Sequence, residues 1–237
     1  MSKSTLFHFA RAALPTWAVA LTLVCGGSAS AASLVEGFET FMPAGWSVKN
    51  NSEPLGSSGW FQGRAGIFSA HSGAANSYAG ADFNNTADAG VISNWLITPT
   101  LSFNNGDTLS FYTRTVDPSF FPDRLEVRFS SVGGSDVGAA SSSVGTFTNL
   151  LLSVNPDLTD DGYPKAWTVH SATITGLAGA TNGAIGFRYF VTDGGPLGNN
   201  SEYIGIDSVL ITAVPEPTTW ALMALGLGAV AWRRKRV

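Results

Sequence analysis

The feature that most narrows what this chain can fold into is the period of two in its apolar residues. Over residues 107–114, Leu109, Phe111 and Thr113 point one way while Ser110, Tyr112 and Arg114 point the other, the alternation of a strand buried on one face. Residues 124–130 repeat it, with Leu125, Val127 and Phe129 on one side and Arg124, Glu126 and Arg128 on the other. Ile185, Phe187, Tyr189 and Val191 form a third inward set. Long stretches with an apolar period of 3.6 are absent, so helices have little to be built from. Turn residues separate the runs: Asn104-Asn105-Gly106-Asp107 reverses the chain, because Asn and Gly accept left-handed conformations.

Strands are expected at 34–39, 45–49, 77–83, 93–98, 107–115, 124–130, 167–174, 184–192 and 203–212. That number over this length predicts an all-β, jelly-roll-like β-sandwich of two packed sheets. No repeat or linker divides the region, so residues 33–213 read as one domain. The long polar segments at 69–77, 132–143, 155–165 and 193–201 are the first places to look for binding, since irregular segments of that length are more often functional than incidental.

Both ends differ from this middle. Lys3 and Arg11, an apolar run at 12–24 and the small-residue triplet Ala29-Ser30-Ala31 predict a secretory signal peptide over 1–32. Cys25 goes with it, which leaves 33–213 without cysteine and therefore without disulfides or a thiolate nucleophile. The same region keeps seven basic and sixteen acidic residues, a net charge of −9 against −4 for the whole chain. Such an acidic surface excludes nucleic acid as a partner.

Residues 214–237 hold three parts in order: Pro215-Glu216-Pro217, an apolar run over 218–232, and the basic stop Arg233-Arg234-Lys235-Arg236. A basic end sets orientation and keeps itself in the cytoplasm. The fifteen-residue run reaches only roughly 22 Å as a helix, against the ~30 Å core of a bilayer, and Gly226 and Gly228 weaken it further. The expectation is a short transmembrane sorting helix, inserted transiently and then processed, with a weak helix that stays as the other reading.

This ordered set resembles the PEP-CTERM sorting signal of Gram-negative bacteria. The resemblance implies recognition by an exosortase, cleavage near the triplet, and export to the cell surface or an extracellular polysaccharide matrix. Before processing, the protein would be anchored transiently in the inner membrane through its C-terminal helix. Pro215, Glu216 and Pro217 would then be substrate residues for the exosortase.

A second resemblance runs through the middle. Glu36-Gly37-Phe38-Glu39, Pro43-Ala44-Gly45-Trp46, Ser93-Asn94-Trp95-Leu96-Ile97-Thr98-Pro99, Leu109-Ser110-Phe111, Arg124-Leu125-Glu126-Val127, Phe187-Arg188-Tyr189 and Tyr203-Ile204-Gly205-Ile206-Asp207-Ser208-Val209 are together similar to the choice-of-anchor J domain, related to cleaved adhesin and MAM-like jelly rolls. Related jelly rolls hold a structural calcium where the first and last strands meet, and the matching positions here are Glu39 and Asp207. Where the family usually has two adjacent acids, this chain has Asp207-Ser208.

The residues themselves offer little catalysis. His71 and His170 stand in unrelated segments, and neither a Gly-x-Ser-x-Gly elbow nor a His-Glu-x-x-His pair occurs. The acids at 157–161 lack the spacing of an EF-hand loop and its distal Glu, and read as an Asx-rich turn. Of Trp46, Trp60, Trp95 and Trp167, Trp60 is the one best placed for sugar stacking, though core packing is favoured for it as for Trp95, while Trp46 and Trp167 are expected to cap the sandwich. The function expected is a non-catalytic binding or scaffolding sandwich, exported in a biofilm setting and meeting polysaccharide or surface proteins. The rival is a secreted glycan-active hydrolase, because two carboxylates at the right distance suffice for that chemistry.

Overall fold

The computed structural model describes residues 33–214 together with 223, 225–228, 232 and 234. The expected signal peptide, the Pro215-Glu216-Pro217 triplet and the basic residues Arg233, Lys235 and Arg236 lie outside the described residues. In chain order the strands are β1 (Ser33–Glu36), β2 (Ser47–Asn50), β3 (Glu53–Leu55), β4 (Phe61–Gln62), β5 (Ala79–Asp82), β6 (Thr86–Ile97), β7 (Leu101–Phe103), β8 (Thr108–Thr115), β9 (Leu125–Ser130), β10 (Asn149–Val154), β11 (Thr168–Thr173), β12 (Thr181–Gly194) and β13 (Tyr203–Thr212).

They form two antiparallel sheets. The first runs β11-β8-β13-β5-β4, with β1 added to the far part of β13; the second runs β10-β9-β12-β6-β2, with β3 on β6 and β7 on β12. Neighbours in space are seldom neighbours in sequence, the jelly-roll-like arrangement expected from the alternating runs. β1 pairs Ser33 with Thr212, so the two ends of the sandwich lie side by side.

The inward residues of the two sheets meet as their alternation requires. Leu109 and Phe111 of β8 with Ile204 and Ile206 of β13 face Leu125, Val127 and Phe129 of β9 with Ile185, Phe187 and Tyr189 of β12, all buried. Each such side chain contributes about 1.5–3 kcal/mol of apolar burial, which a domain without disulfides needs. Trp46 stacks on Phe187 at 6.4 Å and meets the edge of Phe38 at 5.2 Å. β1 stops at Glu36, short of the expected Glu39, because Phe38 takes φ +50° and turns its ring into the core.

The C-terminal expectation is corrected. Among the described residues no helix is long and apolar enough to cross a membrane. Those described in this segment, Met223, Leu225, Gly226, Leu227, Gly228, Trp232 and Arg234, are helical and exposed. The short transmembrane sorting helix therefore does not stand, nor does the membrane as a partner through that helix, nor the transient inner-membrane anchoring. The physical reason is reach: fifteen residues at about 1.5 Å each fall well short of a ~30 Å hydrocarbon core, and two glycines weaken what helix there is.

The outer face of the second sheet is closed by residues 131–148. Val137 and Phe147 from this loop pack with Trp95, Ile97 and Ala184. Beneath it Arg188, 2% exposed, donates from Nε to Ser93 Oγ (3.0 Å), from Nη1 to Glu126 Oε2 (3.1 Å) and from Nη2 to the Ser141 carbonyl. Its guanidinium lies 3.6 Å from the Phe190 ring centroid and 5.1 Å from that of Trp95. Burial pulls the Arg188 guanidinium down to about 10, still protonated at neutral pH. Burial works to raise Glu126, but Arg128 and Arg188 together outweigh it and hold the carboxyl below its ordinary value. Glu53 straps the loop down by accepting from Ser141 N and Oγ. The polar segment expected at 132–143 as a binding loop is thus a cover. Glu126→Ala leaves the Arg188 charge buried without its partner, and urea unfolding is expected to show a loss of about 3–5 kcal/mol.

Candidate functional site

The two acids expected to meet do share one loop. Asp207 is fully buried, and its Oδ2 accepts from the backbone N–H of His71 (2.8 Å) and Ser72 (3.0 Å). Its Oδ1 accepts from the Ser208 N–H and hydroxyl. Glu39 takes the other end of the same loop, with Oε2 accepting from Ser77 Oγ at 2.7 Å. Its Oε1 lies 2.2 Å from where a Cβ on Gly73 would sit, at a residue whose φ of +80° favours glycine. Ser208 has φ +51° and stands in a register shift between Asp207 and Leu210. The serine found where the family has a second acid is therefore the pivot of a β-bulge.

Both oxygens of Asp207 are thus occupied by N–H and O–H donors, while Glu39 accepts at Oε2 from Ser77 Oγ. Burial pushes the Asp207 carboxyl above its ordinary value, opposed by the amides of Ser72, Ser208 and His71. Among the described residues no group of three or more His, Cys, Asp and Glu is placed to hold a metal. Calcium needs six to eight oxygens, and the donor set at Asp207 does not fit that need.

The aromatic residues expected as stacking candidates are core: Trp46, Trp60 and Trp95 are 6%, 4% and 0% exposed. Trp167 is half-buried, donating Nε1–H to the Ser69 carbonyl. The histidines lie on opposite faces of the first sheet. His71 stacks on the outward Tyr112 at 3.6 Å, whereas His170 is registered against the inward Phe111. They do not form a catalytic pair.

The exposed aromatics are elsewhere, on the turn between β8 and β9. Phe120 is 72% and Phe121 43% exposed, with Phe83 at 37% sharing a hollow with Phe121. Phe121 walls two hollows. One, of about 250 Å³, is lined by Phe120, Asp123, Thr159, Asp160, Asp161 and Tyr163; the other, of about 150 Å³, by Phe83, Pro196, Ser201 and Glu202. Two of the polar segments singled out in the sequence, 155–165 and 193–201, converge here. Within the first, Asn155 Oδ1 accepts from the N–H and hydroxyl of Thr159, the Asx-type turn expected for the acid-rich run.

The turn is braced rather than loose. Glu202 Oε2 accepts from Phe120 N–H (3.0 Å), and the Pro122 carbonyl accepts from Ser201 N–H (2.9 Å). Asp123, fully buried, accepts at Oδ1 from Tyr189 O–H and Glu202 N–H, at Oδ2 from Thr115 Oγ1, and at its carbonyl from Asn155 Nδ2. The Thr115 hydroxyl also faces the Tyr203 carbonyl at 2.9 Å and has a single proton to give. Below about pH 6 a protonated Asp123 relieves this by donating to Thr115, which then donates to Tyr203. Consistently, burial raises Asp123 to about 6, against the hydrogen bonds of Tyr189, Glu202 and Thr115. The sequence signal for this turn was the pair Phe120-Phe121 set between Pro118 and Pro122, where no strand can bury both rings.

Comparison with solved structures places the sandwich in a class. It is similar to the K1 cleaved adhesin domain of Lys-gingipain from Porphyromonas gingivalis W83, with 25% identity and a TM-score of 0.55, over 78% of this chain and 99% of that one. The K3 cleaved adhesin domain of the same protein shares the fold at 23% identity and a TM-score of 0.53, over 76% and 98%. Residues 213–236 match the PEP-CTERM protein-sorting motif. Both resemblances drawn from the sequence stand on these matches. No curated protein matches the chain.

Two outcomes follow for these acids. Moving the protein from chelator to excess calcium is expected to leave Tm unchanged, whereas an ion worth 1 kcal/mol would raise it by about 2–4 °C. For Asp123 the folded pKa lies above the unfolded value, so its stabilising contribution is complete below about 4 and is lost as pH rises through about 6. Asp123→Asn keeps a donor toward Thr115 and does not ionise. Its stability relative to the parent is expected to rise by about 2–3 kcal/mol between pH 4 and pH 7, measured by urea unfolding at each pH.

Proposed function

We propose that this chain is an exosortase-sorted surface module, adhesin-like, which binds its ligand without transforming it, and that it binds at the loop end around Phe120 and Phe121. In this reading residues 1–32 serve secretion, 33–213 are the working domain and 214–237 the sorting signal, with Pro215, Glu216 and Pro217 as the part that the exosortase reads. The exported, cell-surface or extracellular-matrix setting rests on the sorting motif and the cleaved-adhesin fold.

The observation that carries the site is the exposure of two adjacent rings on a turn that the sandwich holds rigid. Exposed aromatics on a fixed backbone supply contact area without an ordering cost, the usual economy of a recognition surface. The flanking hollows are small and open beside the about 300–1,000 Å³ of an enclosed small-molecule site. They suit groups projecting from a polymer, and an extracellular polysaccharide is the polymer this setting offers.

Incubation with matrix polysaccharide is expected to give saturable retention and no release of reducing ends. Phe120→Ala with Phe121→Ala is expected to weaken retention by about tenfold or more, the scale of losing two central aromatic contacts. Release of reducing ends would instead establish the hydrolase.

A further inference from the structure

We propose that the loop end selects an amine-bearing polysaccharide, a hexosamine polymer with free amino groups, laying its sugar faces on Phe120 and Phe121 and its ammonium groups among the surrounding acids. This names the ligand class of the site described above and rests on that reading.

The apolar floor comes first. Phe120, Phe121 and Phe83 are exposed large apolar side chains lining this end, and Phe121 forms a wall of both hollows. A flat, weakly polar sugar face covers such rings, and an ammonium at its edge gains further from their negative faces.

The charge around that floor is mainly acidic, with Lys165 as a cation already paired to Asp161. Asp160 and Asp161 line the larger hollow with the two rings, and Glu202 lines the smaller and holds the Phe120 amide. Lys165 shows what these acids accept. Its ammonium pairs with Asp161 Oδ1, and Asp117 and Glu202 lie close enough to favour its charged form along with Asp161. The protein therefore already seats one ammonium here, with Asp160 exposed beside it, and the region 33–213 adds a net charge of −9 behind the site. A uronate or sulfated polymer meets repulsion on this surface, while a neutral polymer gains nothing from it.

The test is equilibrium binding of the full chain to one glucosamine polymer with its amines free, the same polymer fully N-acetylated, and a polyuronate. The free-amine form is expected to bind about tenfold or more tightly than the acetylated form at low salt, with the advantage shrinking as salt rises. Polyuronate is expected not to bind. Asp160→Asn with Asp161→Asn should abolish the free-amine advantage, and Phe120→Ala with Phe121→Ala should weaken both glucosamine forms. All four positions are exposed, and an unchanged Tm checks that the fold is intact.

Equal binding of the free and acetylated forms would overturn the selection for amines and leave the polysaccharide reading in place. Absence of binding to every polymer, or binding that ignores the loss of both rings, would overturn that reading itself. Binding to oligolysine with none to the amino polymer would overturn the polysaccharide in favour of a basic protein chain.

Discussion

The loop end of this protein depends on one buried carboxyl group. Asp123 is reached by Tyr189 from the second sheet, by Thr115 from the first, by the Glu202 amide just before β13, and through its carbonyl by Asn155. Two sheets and three connections thus close on one residue that sits directly after the aromatic turn. A buried carboxylate in such a place is costly unless it is neutral or fully engaged. The raised proton affinity of Asp123 and its crowded donors are two views of one fact.

Asp123 is one case of how this domain lives without disulfides. Where a secreted sandwich often relies on a covalent tie, polar side chains here are buried in small, well-connected groups. Arg188 with Glu126, Ser93 and Ser141 pins a long loop across one sheet face. Glu39 and Asp207 do the same for the His71 loop beside the other. Each group ties elements distant in sequence, so its value is specificity of arrangement as much as energy.

What was legible in the sequence was whatever repeats locally. β8, β9 and β12 announce themselves by alternation, because each strand has one face on the core. β10 did not, since Leu150, Leu151 and Leu152 run together on an edge strand with a register shift, where no face is uniquely buried. Trp60 looks like a surface ring beside glycine and is core, its indole N–H reaching the Asn94 carbonyl. Glu39 and Asp207 are paired in the sequence as metal ligands, whereas in the structure each holds an end of the His71 loop; the His71 and Ser72 donors to Asp207 come from more than a hundred residues away and carry no local signature. The same holds for Asp123. The Phe120 turn was readable in principle, because its prolines exclude the strand that would have buried its rings.

The pairing of Ser33 with Thr212 sets the mechanics of the whole domain. Residue 213, where the sorting motif begins, leaves from one end of β13, while Glu202 and the aromatic turn gather at the other, about 30 Å away along ten residues. A pull between those two points runs lengthwise along β13. That strand is flanked by β8 on one side and by β5 and β1 on the other, so tension loads many ladder hydrogen bonds at once in shear and does not peel them singly.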